Sequence, residues 1–100
     1  MKESELSKII KFLKDNKKHL QDKFGVLEIG VFGSLTTGEY TKTSDIDIII
    51  EMECEKKNLH NFLRLKRYLT RKLGRKVDLG IKGATKSYIY EKIKDKIIYV

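Results

Sequence analysis

Residues 26–52 of this 100-residue chain read VLEIGVFGSLTTGEYTKTSDIDIIIEM, and they contain two candidate strands joined by a polar loop. Val26 to Phe32 is rich in β-branched and aromatic residues, which predicts a strand that ends at Gly33-Ser34. Ile46 to Met52 predicts a second strand, and its nearly continuous apolar character indicates a central position in the sheet. Such a strand requires other elements to cover it.

The flanking sequence predicts the helices that supply this cover. Apolar residues at helical spacing indicate a first helix over residues 4–22. A second long helix ends at Gly74, a residue typical of C-caps. Its apolar stripe consists of Leu59, Phe62, Leu65, Leu69 and Leu73.

The remaining sequence completes the predicted order α-β-β-α-β-α-β. Val77 to Ile81 predicts a third strand, residues 85–95 a third helix, and Ile97 to Val100 a terminal strand. This order predicts an α+β fold, an α/β sandwich with a small mixed β-sheet flanked by helices. We expect a single domain over residues 1–100, because the length fits only one folded unit.

Composition excludes several classes of protein. The longest apolar runs are far short of a membrane span, and the first residues do not resemble a secretory signal. A single cysteine, Cys54, favours a reducing environment, so we expect a cytoplasmic protein without a membrane partner. The net charge of +8 suggests an anionic partner such as a nucleotide, a nucleic acid or an acidic protein.

The positive charge is concentrated in the second half of the chain. Residues 1–54 hold 8 basic and 10 acidic side chains, whereas residues 55–100 hold 14 and 4. Residues 56–76 hold nine Lys or Arg and no acid, with Arg64, Arg67 and Arg71 on a ridge opposite the apolar stripe. Two interpretations stay open, a solvated helix face and a docking surface for a polyanion or an acidic protein.

Gly33-Ser34 is a candidate phosphate-binding turn. Glycine lets the backbone approach a ligand without a Cβ in the way, and Ser34 adds a hydroxyl donor. Backbone N–H groups at such a turn suit phosphate oxygens. Taken alone, the pair is also compatible with an ordinary turn.

Asp45 and Asp47 are candidate ligands for Mg²⁺. Residues i and i+2 of a strand project from the same face, roughly 6.5–7 Å apart along the backbone, so the two carboxylates can converge on one or two hard cations. The alternative is a strand end with an Asp-rich turn, in which both carboxylates are solvated.

Asp78 strengthens the first interpretation. It lies in a short and otherwise apolar strand, where a carboxylate is unexpected. If this strand pairs beside the strand of Asp45 and Asp47, the three carboxylates form one cluster, as in two-metal phosphoryl transfer. Asp78 could also help to deprotonate an attacking hydroxyl.

These segments resemble the minimal nucleotidyltransferase (MNT) family of the polymerase-beta-like superfamily. The resemblance rests on Gly33-Ser34-x10-Asp45-x-Asp47 and on the segment Leu73 to Leu79, and it extends over residues 25–100. It implies Mg²⁺-dependent transfer of a nucleoside monophosphate from an NTP. Gly33 and Ser34 would hold the triphosphate, and Asp45, Asp47 and Asp78 would hold the metals, with two ions expected.

Chains this short resemble the antitoxin of HEPN/MNT toxin–antitoxin pairs. The resemblance implies transfer of AMP from ATP to a tyrosine hydroxyl of a partner HEPN ribonuclease toxin. The loop Leu35-Thr36-Thr37 lacks the Arg that many relatives carry, so a catalytically weak antitoxin that neutralises its partner by binding alone stays an alternative. A nucleic-acid-binding module based on residues 56–76 is a third possibility. The chain has no aromatic-rich stacking platform, so direct binding of nucleic acid is not expected.

Overall fold

Two long helices pack on one face of a four-stranded mixed sheet, which confirms the predicted α+β class. The computed structural model describes residues 5–33, 45–82 and 97–100. The elements in chain order are α1 (Glu5–Phe24), β1 (Val26–Phe32), β2 (Ile46–Met52), a short 3₁₀ helix (Cys54–Lys56), α2 (Leu59–Leu73), β3 (Val77–Ile81) and β4 (Ile98–Tyr99).

The strands lie in the order β3-β2-β1-β4, so β2 is an inner strand, as its apolar sequence predicts. β1 and β2 are antiparallel neighbours joined by the polar loop. β2 and β3 are parallel, and α2 forms the crossover between them. β4 adds to the other side of β1 in antiparallel orientation.

Alternation along β2 divides its side chains between the two faces of the sheet. Ile46, Ile48 and Ile50 are at most 1% exposed and face the helices. They belong to a core that also contains Leu13, Leu20, Leu65 and Leu69. Asp47 has the opposite parity and is half-buried, so it faces away from the helices.

The ends of both helices have identifiable causes. α2 begins at Asn58, whose side chain accepts a hydrogen bond from the Asn61 N–H at 2.8 Å. It ends at Gly74, which has a φ of 68°, so the predicted C-cap is confirmed. α1 continues two residues beyond its predicted end at residue 22, because Phe24 is 2% exposed and belongs to the core.

Two sequence predictions concern the end of the chain. The helix predicted over residues 85–95 lies outside the described residues. The terminal strand is observed as Ile98–Tyr99, shorter than the predicted Ile97 to Val100, although the Val100 N–H donates to the Ile29 carbonyl at 3.0 Å. Within the part of the chain that the structure describes, no helix is long and apolar enough to cross a membrane.

Candidate active site

Asp47 of β2 and Asp78 of β3 lie side by side in the sheet. They are register partners in the parallel pair, and adjacent strands are about 4.8 Å apart. Asp78 is exposed and Asp47 is half-buried, and both lie on the face opposite the helices. The strand of Asp78 therefore does pair beside the strand of Asp47, which is the pairing that a cluster of the three carboxylates requires.

Asp45 immediately precedes β2 and brings a third carboxylate to this region. It is half-buried, and its charge acts on Asp47. Burial raises the pKa of Asp47 above its ordinary value, and the nearby charges of Asp78 and then Asp45 raise it further. The three carboxylates therefore form one region of concentrated negative charge.

The chemistry of these donors fits a hard divalent cation. Carboxylate oxygens are preferred ligands of Mg²⁺, and a cation relieves the repulsion that raises the pKa of Asp47. As the side chains stand, no three carboxylate, imidazole or thiol groups among the described residues converge closely enough to hold a metal ion between them. The role of the three aspartates as metal ligands stays a prediction.

Gly33 lies directly against the Asp47 side chain. β1 and β2 pair so that Phe32 is opposite Asp47, and Gly33 follows with a φ of +80°. A Cβ at residue 33 would collide with the Asp47 carboxylate oxygen Oδ2. The glycine therefore supplies a left-handed backbone conformation and also the space that Asp47 occupies.

Strand direction places these residues at one end of the sheet. β1 ends where β2 and β3 begin, because β2 runs antiparallel to β1 and parallel to β3. The Ile46 N–H donates to the Lys76 carbonyl at 2.9 Å and fixes the starts of β2 and β3 relative to each other. Ser34 lies outside the described residues, so its predicted contact with phosphate stays a prediction.

Sequence reasoning missed the contact between Gly33 and Asp47. The sequence pattern assigns Gly33 to phosphate approach alone, because nothing in it indicates that Gly33 contacts Asp47. Its steric role depends on the register between β1 and β2. The only available signal was the short distance of both residues from the loop that joins the two strands.

Comparison with known proteins identifies the same family that the sequence resembles. The family described as nucleotidyltransferase domain matches residues 6–100. A protein of Thermococcus cleftensis named protein adenylyltransferase MntA is 42% identical over 95 residues, which are 95% of each chain. A provisionally named protein adenylyltransferase of Methanocaldococcus jannaschii is 44% identical over 96 residues, covering 95% of this chain and 97% of the relative.

The fold is shared with a chain from a toxin–antitoxin crystal structure that contains AMP-PNP. The TM-score is 0.68 at 25% sequence identity, and the match covers 93% of this chain and 69% of the other. The matched family spans the sheet, both helices and all the candidate aspartates. The chain belongs to the nucleotidyltransferase domain family, as the spacing of Gly33, Asp45 and Asp47 predicts.

Proposed function

We propose that this chain is a Mg²⁺-dependent protein adenylyltransferase that acts as an antitoxin in the cytoplasm. It transfers AMP from ATP to a tyrosine hydroxyl of a partner HEPN ribonuclease toxin. The observation that carries the proposal is the pairing of Asp47 with Asp78 at the sheet end where Gly33 adjoins Asp47. Support comes from the relative named protein adenylyltransferase and from the similar toxin–antitoxin structure with AMP-PNP.

The reaction is an in-line displacement at the α-phosphorus of ATP. The tyrosine oxygen forms a bond to that phosphorus, the bond to the β-phosphate oxygen breaks, and pyrophosphate leaves. The hydroxyl proton passes to the carboxylate of Asp78, which is exposed and therefore accessible to a residue of another protein.

The remaining site residues bind and orient the nucleotide. The turn at Gly33 and Ser34 would receive the triphosphate through its backbone, and Ser34 would donate its hydroxyl to a phosphate oxygen. Asp45, Asp47 and Asp78 would hold Mg²⁺, which supplies positive charge to neutralise the triphosphate. The half-buried position of Asp47 keeps this carboxylate in a fixed orientation against Gly33.

The decisive experiment uses ATP labelled at the α-phosphate and, as the candidate acceptor, a HEPN-type toxin protein co-expressed with this chain. We expect the wild-type chain to label the partner in the presence of Mg²⁺ and EDTA to abolish labelling. Asp47→Asn and Asp78→Asn should each lower the rate by about 100-fold or more, because each removes a charge from the site. Asp15→Asn, which changes an exposed carboxylate on α1, is the matched control and should leave the rate unchanged.

Binding-only neutralisation predicts a different pattern. In that case Asp47→Asn would protect cells from the toxin as well as the wild-type chain does, and neither chain would label the partner. Equal labelling by wild type and Asp47→Asn would contradict the proposed roles of the aspartates.

A further inference from the structure

A basic cleft lies between the end of α1 and the outer side of α2. Its volume is about 450 Å³, and we call it the basic cleft. It is lined by Lys23, Phe24, Arg64, Arg67, Tyr68 and Arg71. The three arginines and Lys23 are exposed, whereas Phe24 is buried and Tyr68 is half-buried. The cationic groups therefore face solvent around a floor of two aromatic rings.

Two cations of the cleft, Lys23 and Arg64, and the neighbouring Lys72 lie close to its aromatic rings. Lys23 Nζ is 5.6 Å from the centroid of the Phe24 ring, and Arg64 Cζ is 5.8 Å from the same centroid. Lys72 Nζ is 5.9 Å from the Tyr68 ring centroid. Cation–π attraction of this kind offsets part of the repulsion between the cations.

No carboxylate among the described residues forms an ion pair with the cations of the cleft. The ion pairs that the described part of the chain does form, Lys57 with Glu51 and Lys82 with Glu28, involve other residues. Crowded like charges without counter-charges raise the energy of the free protein. An anion that enters the cleft lowers this energy.

The basic cleft is separate from the candidate active site. Its residues belong to the helix layer, and Asp47 and Asp78 lie on the opposite face of the sheet. The arginines therefore have no role in holding the triphosphate at the carboxylates. An anion bound in the basic cleft would therefore be a different ligand from the triphosphate.

The spacing of the three arginines along α2 matches the spacing of acidic residues on a second helix. Arg64, Arg67 and Arg71 stand at positions i, i+3 and i+7 of α2, so they rise along the helix axis in steps of about 4.5 and 6 Å. Acidic residues at i, i+3 and i+7 of a facing helix have the same steps. The arginine guanidinium matches a carboxylate with two parallel hydrogen bonds.

We propose that the basic cleft docks an acidic helix of the acceptor protein. This inference rests on the proposed function, because it requires the acceptor to be a protein. A nucleic acid fits less well, since single strands bind through bases stacked on open aromatic rings. Here Phe24 is 2% exposed, and cations cover the ring of Tyr68.

The test compares two triple charge reversals that change the net charge equally. R64E/R67E/R71E alters the cleft, and K11E/K14E/K18E alters exposed residues of α1 that have the same spacing and do not line the cleft. We expect the first variant to raise the KM for the acceptor protein by about 10- to 100-fold with kcat unchanged. The control variant should leave the KM within about threefold, because only long-range attraction is weakened.

A peptide probe separates docking from catalysis. The wild-type chain should bind a helical alanine-based peptide that carries Glu at i, i+3 and i+7, and should not bind the peptide with Gln at these positions. R64Q/R67Q/R71Q, which adds no negative charge, should lose this binding and remain folded by circular dichroism. This variant serves in place of the reversal if the reversal does not fold.

The outcomes separate the two proposals. If the wild-type chain transfers AMP and R64E/R67E/R71E keeps the wild-type KM, the docking proposal is wrong and the proposed function stands. If the wild-type chain transfers no AMP, the proposed function fails, and peptide binding still tests the cleft. We expect the acceptor protein to displace the acidic peptide from the basic cleft. Binding of a single-stranded RNA oligonucleotide at the arginines without binding of the peptide would overturn the acidic-helix proposal.

Discussion

A methyl group at residue 33 would occupy space that the Asp47 carboxylate fills. The backbone of Gly33 also has a φ of +80°, a conformation that costs an L-residue about 1–2 kcal/mol. Either requirement alone favours glycine. Together they make the position of Asp47 depend on the residue across the β1–β2 pair.

Gly33→Ala tests this dependence, and Gly74→Ala is its matched control. Both glycines have positive φ, but a Cβ at Gly74 has no atom within 4 Å. We expect both substitutions to lower the free energy of unfolding by about 1–2 kcal/mol because of the backbone alone. Only Gly33→Ala should also lower AMP transfer, by about 10-fold or more, because it displaces Asp47. Urea unfolding and labelled-AMP transfer measure the two effects, and equal transfer by both variants would contradict the steric role.

The pKa of Asp47 makes stability depend on pH. Its pKa is raised by burial and by Asp78 and Asp45, so the folded chain binds the proton more tightly than the unfolded chain does. The free energy of unfolding therefore decreases as the pH rises from the ordinary value of 3.8 through the raised pKa. At neutral pH the ionised Asp47 destabilises the fold.

Asp47→Asn should accordingly stabilise the protein at pH 7 in EDTA, and the gain should disappear below pH 3.8, where the carboxyl is protonated in both states. Asp78→Asn removes one neighbouring charge, so it should lower the pKa of Asp47 and narrow the affected pH range. Urea midpoints between about pH 3 and pH 7 give the measurement. If the Asp47→Asn variant is less stable than the wild type at pH 7, ionised Asp47 does not destabilise the fold.

Sequence alone could predict candidate site residues but not which of them lie side by side in the fold. The spacing of Asp45 and Asp47 follows from strand alternation, and Asp78 was conspicuous in an apolar strand. Their assembly required β3 to pair with β2 in the register that puts Asp78 beside Asp47. A strand's own sequence contains little information about which neighbour it pairs with, so this step needed the structure.

At the level of elements, Asn61 connects α2 to two other segments. It is 9% exposed, and its side-chain amide donates to the Phe24 carbonyl at 2.8 Å and to the Lys56 carbonyl at 2.9 Å. These carbonyls close α1 and the 3₁₀ helix. One buried amide thus donates to the Phe24 carbonyl and adds a second donor to the Lys56 carbonyl, which also accepts from the Asn58 N–H at 3.1 Å.

Asn61→Ala should lower the free energy of unfolding by about 1–3 kcal/mol, because it removes the amide donor from the Phe24 carbonyl, whereas the Lys56 carbonyl keeps the Asn58 N–H. Asn58→Ala removes the N-cap acceptor of the same helix and should cost about 1 kcal/mol. Urea unfolding of the two variants provides the comparison, with AMP transfer per folded molecule expected to stay at the wild-type level. A smaller loss for Asn61→Ala than for Asn58→Ala would show that water replaces the amide.

The sequence pattern was sufficient to predict both α-helices and all four strands that the structure describes, but not the 3₁₀ helix Cys54–Lys56. It could not predict the role of Asn61, because a polar residue on a helix is usually exposed. It also placed the end of α1 two residues early, since the burial of Phe24 depends on packing within the fold. Local pattern therefore specifies the elements, and tertiary contacts specify where they end and how they join.

Across the whole molecule, the clustered positive charges lie on the helix layer, and the candidate carboxylates lie on the opposite face of the sheet. The net charge of +8 comes from the second half of the chain. Three arginines of that half and Lys23 of the first half line the basic cleft, and they have no carboxylate partners among the described residues. Self-repulsion of this kind lowers the stability of the folded chain. It weakens when salt screens the charges.

Thermal stability should therefore rise with moderate salt. NaCl raised from about 0.01 M to about 0.1 M shortens the screening length from about 30 Å to about 10 Å. We expect the unfolding midpoint to rise by about 4 °C, and R64Q/R67Q/R71Q should show a smaller rise from a higher starting value. Differential scanning calorimetry measures both. If the thermal unfolding midpoint stays constant or falls as salt is added, repulsion between the cations does not lower the stability of the folded chain.

Because the sheet separates the basic cleft from the carboxylates, the two groups of residues can change independently during evolution. If the basic cleft docks the acceptor as proposed, substitutions on the outer side of α2 can change which protein is recognised without disturbing Gly33, Asp47 or Asp78. Duplicated copies of such a gene can therefore diverge in their partners while they keep the same reaction. Cross-recognition between copies should then follow the identity of the residues in the cleft, whereas the carboxylate face stays the same.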